Sequence, residues 1–224
     1  MSKQIKIKES PLFWPAKLKR DGLYVLDETL IPRKMQYIKV TSTREAVKVI
    51  KDMKTRAFGQ FLVVISTFLL ELNKTKSKGA ALVTKIESIA NALNKSRPTF
   101  PFAEVTGMVV GWAKAAQHEG ADVKATVLKY CQGYLQGIRG QRLERVQNIA
   151  KVIKDGDTVL THCNVSGELA MAAYICQQQG KENHFFATET RPYFQGAKLT
   201  AWELKRMGAQ VTLIADNAVG SVMA

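Results

Sequence analysis

Acidic residues are scarce in this chain. Nineteen Asp and Glu stand against 33 Lys and Arg, a formal charge of +14 over 224 residues. The imbalance is steepest early, where residues 1–56 carry 14 basic and 6 acidic side chains. A basic excess of this kind suits an anionic partner. Yet the basic residues alternate with apolar ones instead of clustering with aromatics. No helix-turn-helix, zinc-finger or ribonucleoprotein pattern appears, so nucleic acid is not the expected partner. A small anionic substrate would need only two or three of these cations.

Cysteine is also sparse. Cys131, Cys163 and Cys176 make an odd number with no CxxC pair. That excludes a disulfide scaffold and fits a reduced, cytoplasmic setting. Long hydrophobic runs are missing. The most apolar stretch, 58–72, is interrupted by Gly59, Gln60, Ser66 and Thr67 and falls short of the roughly 20 residues a membrane span needs. It reads as a buried helix, and no membrane is expected as a partner. Met1–Glu9 alternates Lys with Ile and lacks the apolar core of a signal peptide. No Walker A or GxGxxG segment is present, so neither a nucleoside triphosphate nor a dinucleotide is indicated. His118, His162 and His184 show no metal-ligand spacing. No cofactor and no metal are therefore expected.

What is present reads as two kinds of chain. Strands and turns are expected from Ile5 to Leu30, with a turn at Asp21-Gly22, a strand at 23–26 and another at 38–40. Ser42 or Thr43 offers a helix N-cap, with Glu45 in the first turn. Apolar residues then fall at 47, 50, 53, 57, 61, 64, 68 and 72, which predicts one long helix. Leu82, Ile86, Ile89 and Leu93 repeat the pattern. Pro98 and Pro101 break it within 96–101. Helices resume over 103–119 and 122–154.

The texture changes at Asp155-Gly156-Asp157. Strands at 158–161, 184–187 and 211–215 alternate with helices at 168–179 and 199–207, a β-α-β-α-β succession. The expected architecture is α/β. A mainly helical domain with a short β start occupies 1–155. A partial Rossmann-like, doubly wound parallel sheet follows over 156–224 and ends after its third strand. A doubly wound sheet usually continues, so either the chain is a fragment or something else covers that sheet edge.

Ligands of an open parallel sheet bind beyond the carboxyl ends of its strands. That rule selects three loops: 161–167, 188–196 and 216–217. Cys163 lies there between a strand and a helix N-terminus, whose dipole lowers a thiol pKa; the other reading is an inert buried thiol. Asp216 ends an apolar strand, as a catalytic carboxylate or as an N-cap. His162 and Cys163 are adjacent and point to opposite faces, which argues against a direct dyad. Cys131 and Cys176 fall within helical patterns and read as core. Arg97, on a rigid loop, and Arg56, before Ala57-Phe58-Gly59, are each able to hold a phosphate through a bidentate contact or to be plain surface residues.

Four strings carry a resemblance: THCN at 161–164, ETRP at 189–192, QGAKLTAWEL at 195–204 and VTLIADNAV at 211–219. Together with SRPT at 96–99 and, more loosely, LDETLIP at 26–32, they are similar to the methylthioribose-1-phosphate isomerase family. That family shares a superfamily with ribose-1,5-bisphosphate isomerase and the regulatory subunits of initiation factor 2B. The likeness is dense from 157 to 223 and thinner before 95.

The resemblance implies a helical domain before a Rossmann-like one. It implies a catalytic pair carried by Cys163 and Asp216, with Arg56, Arg97 and Gln195 at substrate-binding positions. The implied activity is the aldose–ketose isomerisation of a 5-substituted ribose 1-phosphate in methionine salvage. The alternative is a non-catalytic regulatory or binding protein like initiation factor 2B. A homodimer is implied as well.

The sequence also departs from the family. Arg56-Ala57-Phe58-Gly59 replaces the usual Arg-Gly-Ala-Pro-Ala, and Val165-Ser166-Gly167-Glu168 replaces a small-residue run. The family's later GADR…NGD…NK stretch, with an Asn-Lys pair at the substrate and much of the dimer interface, has no counterpart here. The chain is accordingly expected to be C-terminally truncated.

Overall fold

A computed structural model describes residues 8–224 of the chain. The part of the expected strand-and-turn region before Lys8 lies outside them. Ala16–Lys19 (β1) and Gly22–Leu26 (β2) pair as an antiparallel hairpin, and Tyr37–Val40 (β3) adds to β2. Only the second and third of these strands were signalled by an apolar run. Ala16–Lys19 alternates Ala and Leu with Lys, and only Ala16 of the four is buried.

Ser42 caps Thr43–Lys51 (α1) by accepting from the Glu45 N–H at 3.3 Å. The single long helix expected over 43–72 is two helices. α1 ends at Lys51, and the second, Ala57–Lys74 (α2), starts after a turn in which Met53 takes φ 51°. That left-handed backbone breaks the helix. Met53 happens to continue the three-and-four spacing, so periodicity alone runs straight through the break. α2 is long and apolar enough to cross a membrane, but 67% of it is buried inside the protein. It is a core helix, with Leu62, Val63, Ile65 and Phe68 fully enclosed. Each such side chain contributes about 2 kcal/mol on burial.

Gly79–Asn94 (α3) and Phe102–His118 (α4) follow, separated by the proline-bearing loop, and then Val123–Val152 (α5). Packing divides the chain into two units. One holds Pro15–Thr29 and Gln36–Arg139. The other holds the described residues up to Trp14, Leu30–Met35 and Gly140–Ala224. The division falls inside α5, and the burial pattern shows why. Val123, Val127 and Cys131 are buried at one end of this helix. Val146 and Ala150 at the other end, with Ile153 just beyond it, join the core around Phe185. Residues 140–155 thus pack with the parallel sheet, although composition changes only at 155.

That sheet consists of Thr158–Thr161 (β4), His184–Thr188 (β5) and Gln210–Ile214 (β6), all parallel, in the order β4-β5-β6. Glu168–Gln178 (α6) links the first two strands. A π-helical turn over Gly196–Ala201 and the short Trp202–Arg206 (α7) link the last two. Val159, Phe185 and Val211 share a register row and pack on these helices. Leu160 and Leu213, on the outer strands, remain 36% and 50% exposed. A 3-10 turn at Asp216–Ala218 leads into Val219–Met223 (α8).

Candidate active site

The loops beyond β4, β5 and β6 gather around one carboxylate. Asp216 Oδ1 accepts from the Thr190 N–H and Oδ2 from the Arg191 N–H, each at 2.8 Å. It makes no cap for its own turn. The two main-chain donors are the chief cause that holds its carboxyl below the usual range, with smaller help from the His162 imidazole and the Thr188 hydroxyl. Asp216 is therefore ionised and aimed by backbone, not by a salt bridge.

Thr190 ties this carboxylate to Cys163. Its Oγ1 accepts from the Cys163 N–H at 3.0 Å, while the Thr200 hydroxyl donates to the Cys163 carbonyl at 2.5 Å. The structure thus brings Cys163 and Asp216 onto a common partner. Cys163 is half-buried. The N-terminus of α6 is answered by another group, since the Gly167 N–H donates to Glu203 Oε2 at 3.2 Å. Glu203 also accepts from the Ser10 hydroxyl. Arg142 supports the same loop, donating to the Ser166 carbonyl at 2.6 Å and pairing with Glu168 at 3.2 Å.

The backbone here is unusual. Among the described residues, five non-glycine positions have positive φ, and four are Cys163, Ser166, Thr190 and Phe194. Such conformations persist only where surrounding structure holds them, and they concentrate at functional sites. Gly196 is part of what holds them. A Cβ there would lie 1.9 Å from the Thr188 carbonyl oxygen and 2.8 Å from Thr190 Oγ1. Gln195 immediately precedes it, half-buried, at the start of the π-helical turn.

Arg56 and Arg97 belong to the other unit, where they share a partner of their own. Arg97 Nη1 donates to Gln60 Oε1 at 2.7 Å, and its guanidinium lies 4.8 Å from the Phe100 ring centre. Gln60 is fully buried and donates onward to the Thr55 carbonyl at 2.9 Å. Arg56 stands at the N-cap of α2, and its carbonyl accepts from the Gln60 N–H at 2.8 Å. Glu28, buried beside this turn, accepts from the Thr55 hydroxyl. Burial pushes its carboxyl above the usual range, against the pull of Thr55 and Arg56. Gln60, Thr188 and Thr190 were not singled out by sequence. A polar residue inside an apolar helix, and a Thr-x-Thr at a strand end, were the available signals.

Two surface cavities, at 75–79 with 120–124 and at 87–94 with 103–110, are lined by none of the five expected residues. Among the described residues no group of three or more His, Cys, Asp or Glu is placed to hold a metal.

Residues 59–224 match the model of the initiation factor 2 subunit family. The chain belongs to that family. Within it, the methylthioribose-1-phosphate isomerase of Thermosipho africanus is 35% identical over 239 residues, covering 96% of this chain and 64% of the relative. The family fold is shared by the A. fulgidus translation initiation factor eIF-2B, subunit delta, at 29% identity and TM-score 0.73, covering 94% of this chain and 64% of that one. It is shared too by the 5-methylthioribose 1-phosphate isomerase of Pyrococcus horikoshii OT3, at TM-score 0.80 and 22% identity, covering 98% and 66%. At the latter identity the likeness concerns the fold. This family member spans just under two thirds of the length of the curated relatives it matches.

Proposed function

We propose that this chain carries the catalytic half-site of an aldose–ketose isomerase acting on a 5-substituted ribose 1-phosphate, such as methylthioribose 1-phosphate in methionine salvage. The observation that carries the proposal is the ionised Asp216, aimed by two main-chain amides and joined to Cys163 through Thr190. The kinship with named isomerases gives that geometry its substrate class.

The chemistry asks for such groups. Phosphate on the anomeric oxygen prevents free ring opening. Conversion to the ketose moves hydrogen from C2 to C1, removes the O2 proton and delivers one proton to the ring oxygen. Asp216 is the base and then the acid in the proton steps. Cys163 stands at the C1–C2 transfer, as an acid/base or as part of a shielded wall. Arg56 and Arg97 hold the phosphate, and Gln195 contacts the sugar. The reaction is cytoplasmic.

The test is turnover. The chain is mixed with methylthioribose 1-phosphate and ketose formation is followed, alongside Cys163→Ser and Asp216→Asn. The proposal expects conversion by the unaltered chain, a loss of at least about 100-fold in each variant, and a cooperative thermal melt retained in both variants. Binding without conversion would favour the non-catalytic reading. Full activity in either variant would remove that residue from the mechanism.

A further inference from the structure

A threonine inside a helix commonly spends its hydroxyl on its own helix. Thr67 donates to the Val63 carbonyl at 2.7 Å and Thr84 to the Ala80 carbonyl at 3.2 Å. Thr200 does not follow them. It lies in the π-helical turn, only 2% exposed, and its hydroxyl donates instead to the Cys163 carbonyl at 2.5 Å. The same oxygen accepts the Val165 N–H at 3.4 Å. On the other side of Cys163, its N–H donates to Thr190 Oγ1 at 3.0 Å. Two threonine hydroxyls from different loops thus grip both ends of this residue, whose φ is 63°. A left-handed backbone at a cysteine is costly and persists only while its surroundings hold it. Single π-helical turns are uncommon and gather at functional sites.

We propose that Thr200 is a positioning residue for Cys163: its hydroxyl fixes the Cys163 carbonyl, and with it the direction in which the thiol points. This rests on the isomerase reading, in which Cys163 stands at the C1–C2 transfer. The far end of the same loop is held by other groups. Glu203 receives the Gly167 N–H, and Arg142 donates to the Ser166 carbonyl. Removing the Thr200 hydroxyl therefore releases Cys163 while the start of α6 stays anchored. Valine keeps the shape of threonine and lacks the hydroxyl. Serine keeps the hydroxyl and lacks the methyl group.

Thr200→Val and Thr200→Ser are compared with the unaltered 224-residue chain. Iodoacetamide labelling with peptide mass mapping reads the placement of the thiol without any substrate. Thr200→Val is expected to raise the Cys163 alkylation rate about fivefold or more, and Thr200→Ser to return it to within about twofold of the unaltered chain. Cys131 and Cys176, both buried, should stay protected throughout, which separates a displaced thiol from a loosened fold. In turnover of methylthioribose 1-phosphate, Thr200→Val should lower kcat about tenfold or more and leave KM within about twofold, with serine restoring kcat. A Cys163 rate unchanged or lowered in Thr200→Val overturns the proposal, as does a KM rise with kcat intact. Should Thr200→Val label all three thiols, amide hydrogen exchange of the unaltered chain decides. A Val165 N–H slowed about tenfold or more relative to an open loop supports the tie, and one that exchanges freely overturns it. If the unaltered chain turns nothing over, the isomerase reading fails while the alkylation rates still decide what holds Cys163.

Discussion

In the helical unit Arg97 is tied to the fully buried side-chain amide of Gln60, whereas in the sheet unit Asp216 is aimed by main-chain N–H groups and stays near the surface. The first arrangement depends on the identity of a side chain. The second depends on the path of a loop. A substitution that changes chemistry without changing shape should therefore damage the first cluster, and one that changes shape without changing chemistry should damage the second.

Gly196→Ala is the strongest way to break the loop. Its methyl would meet backbone, the Thr188 carbonyl oxygen, which cannot swing aside. Overpacking of that kind costs about 3 kcal/mol. Urea denaturation should show it, and a change under about 0.5 kcal/mol would show that the loop path is soft. Gln60→Leu is the matching test on the arginine side. Volume is kept, but the Thr55 carbonyl and Arg97 Nη1 each lose a partner. About 2 kcal/mol is expected for groups left without a hydrogen bond in the interior. A neutral result would mean that Gln60 does not hold the arginine.

Glu28 sharpens the contrast through pH. Its carboxyl is raised by burial, the reverse of Asp216. A raised carboxyl binds its proton more tightly in the folded chain than in the unfolded one. Its favourable contribution is thus present below the unfolded value near 4.5 and is lost as pH rises through the higher folded value. Glu28→Gln should flatten thermal stability against pH over that window. Asp216→Asn should act oppositely, removing a contribution that is lost as pH falls through the lowered Asp216 value. Parallel melts of the three proteins from pH 3 to pH 8 would test both signs. Thiol labelling is the mildest probe. Burial pushes the Cys131 thiol up to about 12 and raises Cys176 as well. Alkylation of the folded chain at pH 8 should modify Cys163 first, and all three only after unfolding, as peptide mass mapping would report.

The same contrast explains what the sequence shows. Strand order alone points to the loops after β4, β5 and β6, because polar residues follow short apolar runs there. What it does not show is that Thr190 bends back, at φ 59°, so that its amide reaches Asp216 and its hydroxyl reaches Cys163. That bend is a tertiary product, enforced by Gly196 against Thr188. Gln60 escapes for another reason. It occupies one position in a strongly apolar helix, where periodicity treats it as an interruption. Only its distances to Arg97 and Thr55 reveal a brace. The break at 52–56 is hidden likewise, since Met53 keeps the apolar spacing while its backbone leaves the helix. β1 falls within the expected strand-and-turn region, but its own bounds are not marked by an apolar run because it alternates with Lys.

The central claim is that a sugar phosphate engages the loops that aim Asp216. Titration of methylthioribose 1-phosphate into the isotopically labelled chain, with amide shifts followed by NMR, tests it most directly. The account predicts the largest shifts at Cys163, Thr190, Arg191 and Asp216. Shifts confined to the cavity around Lys76, Lys78 and Lys124, with these four amides unmoved, would contradict it.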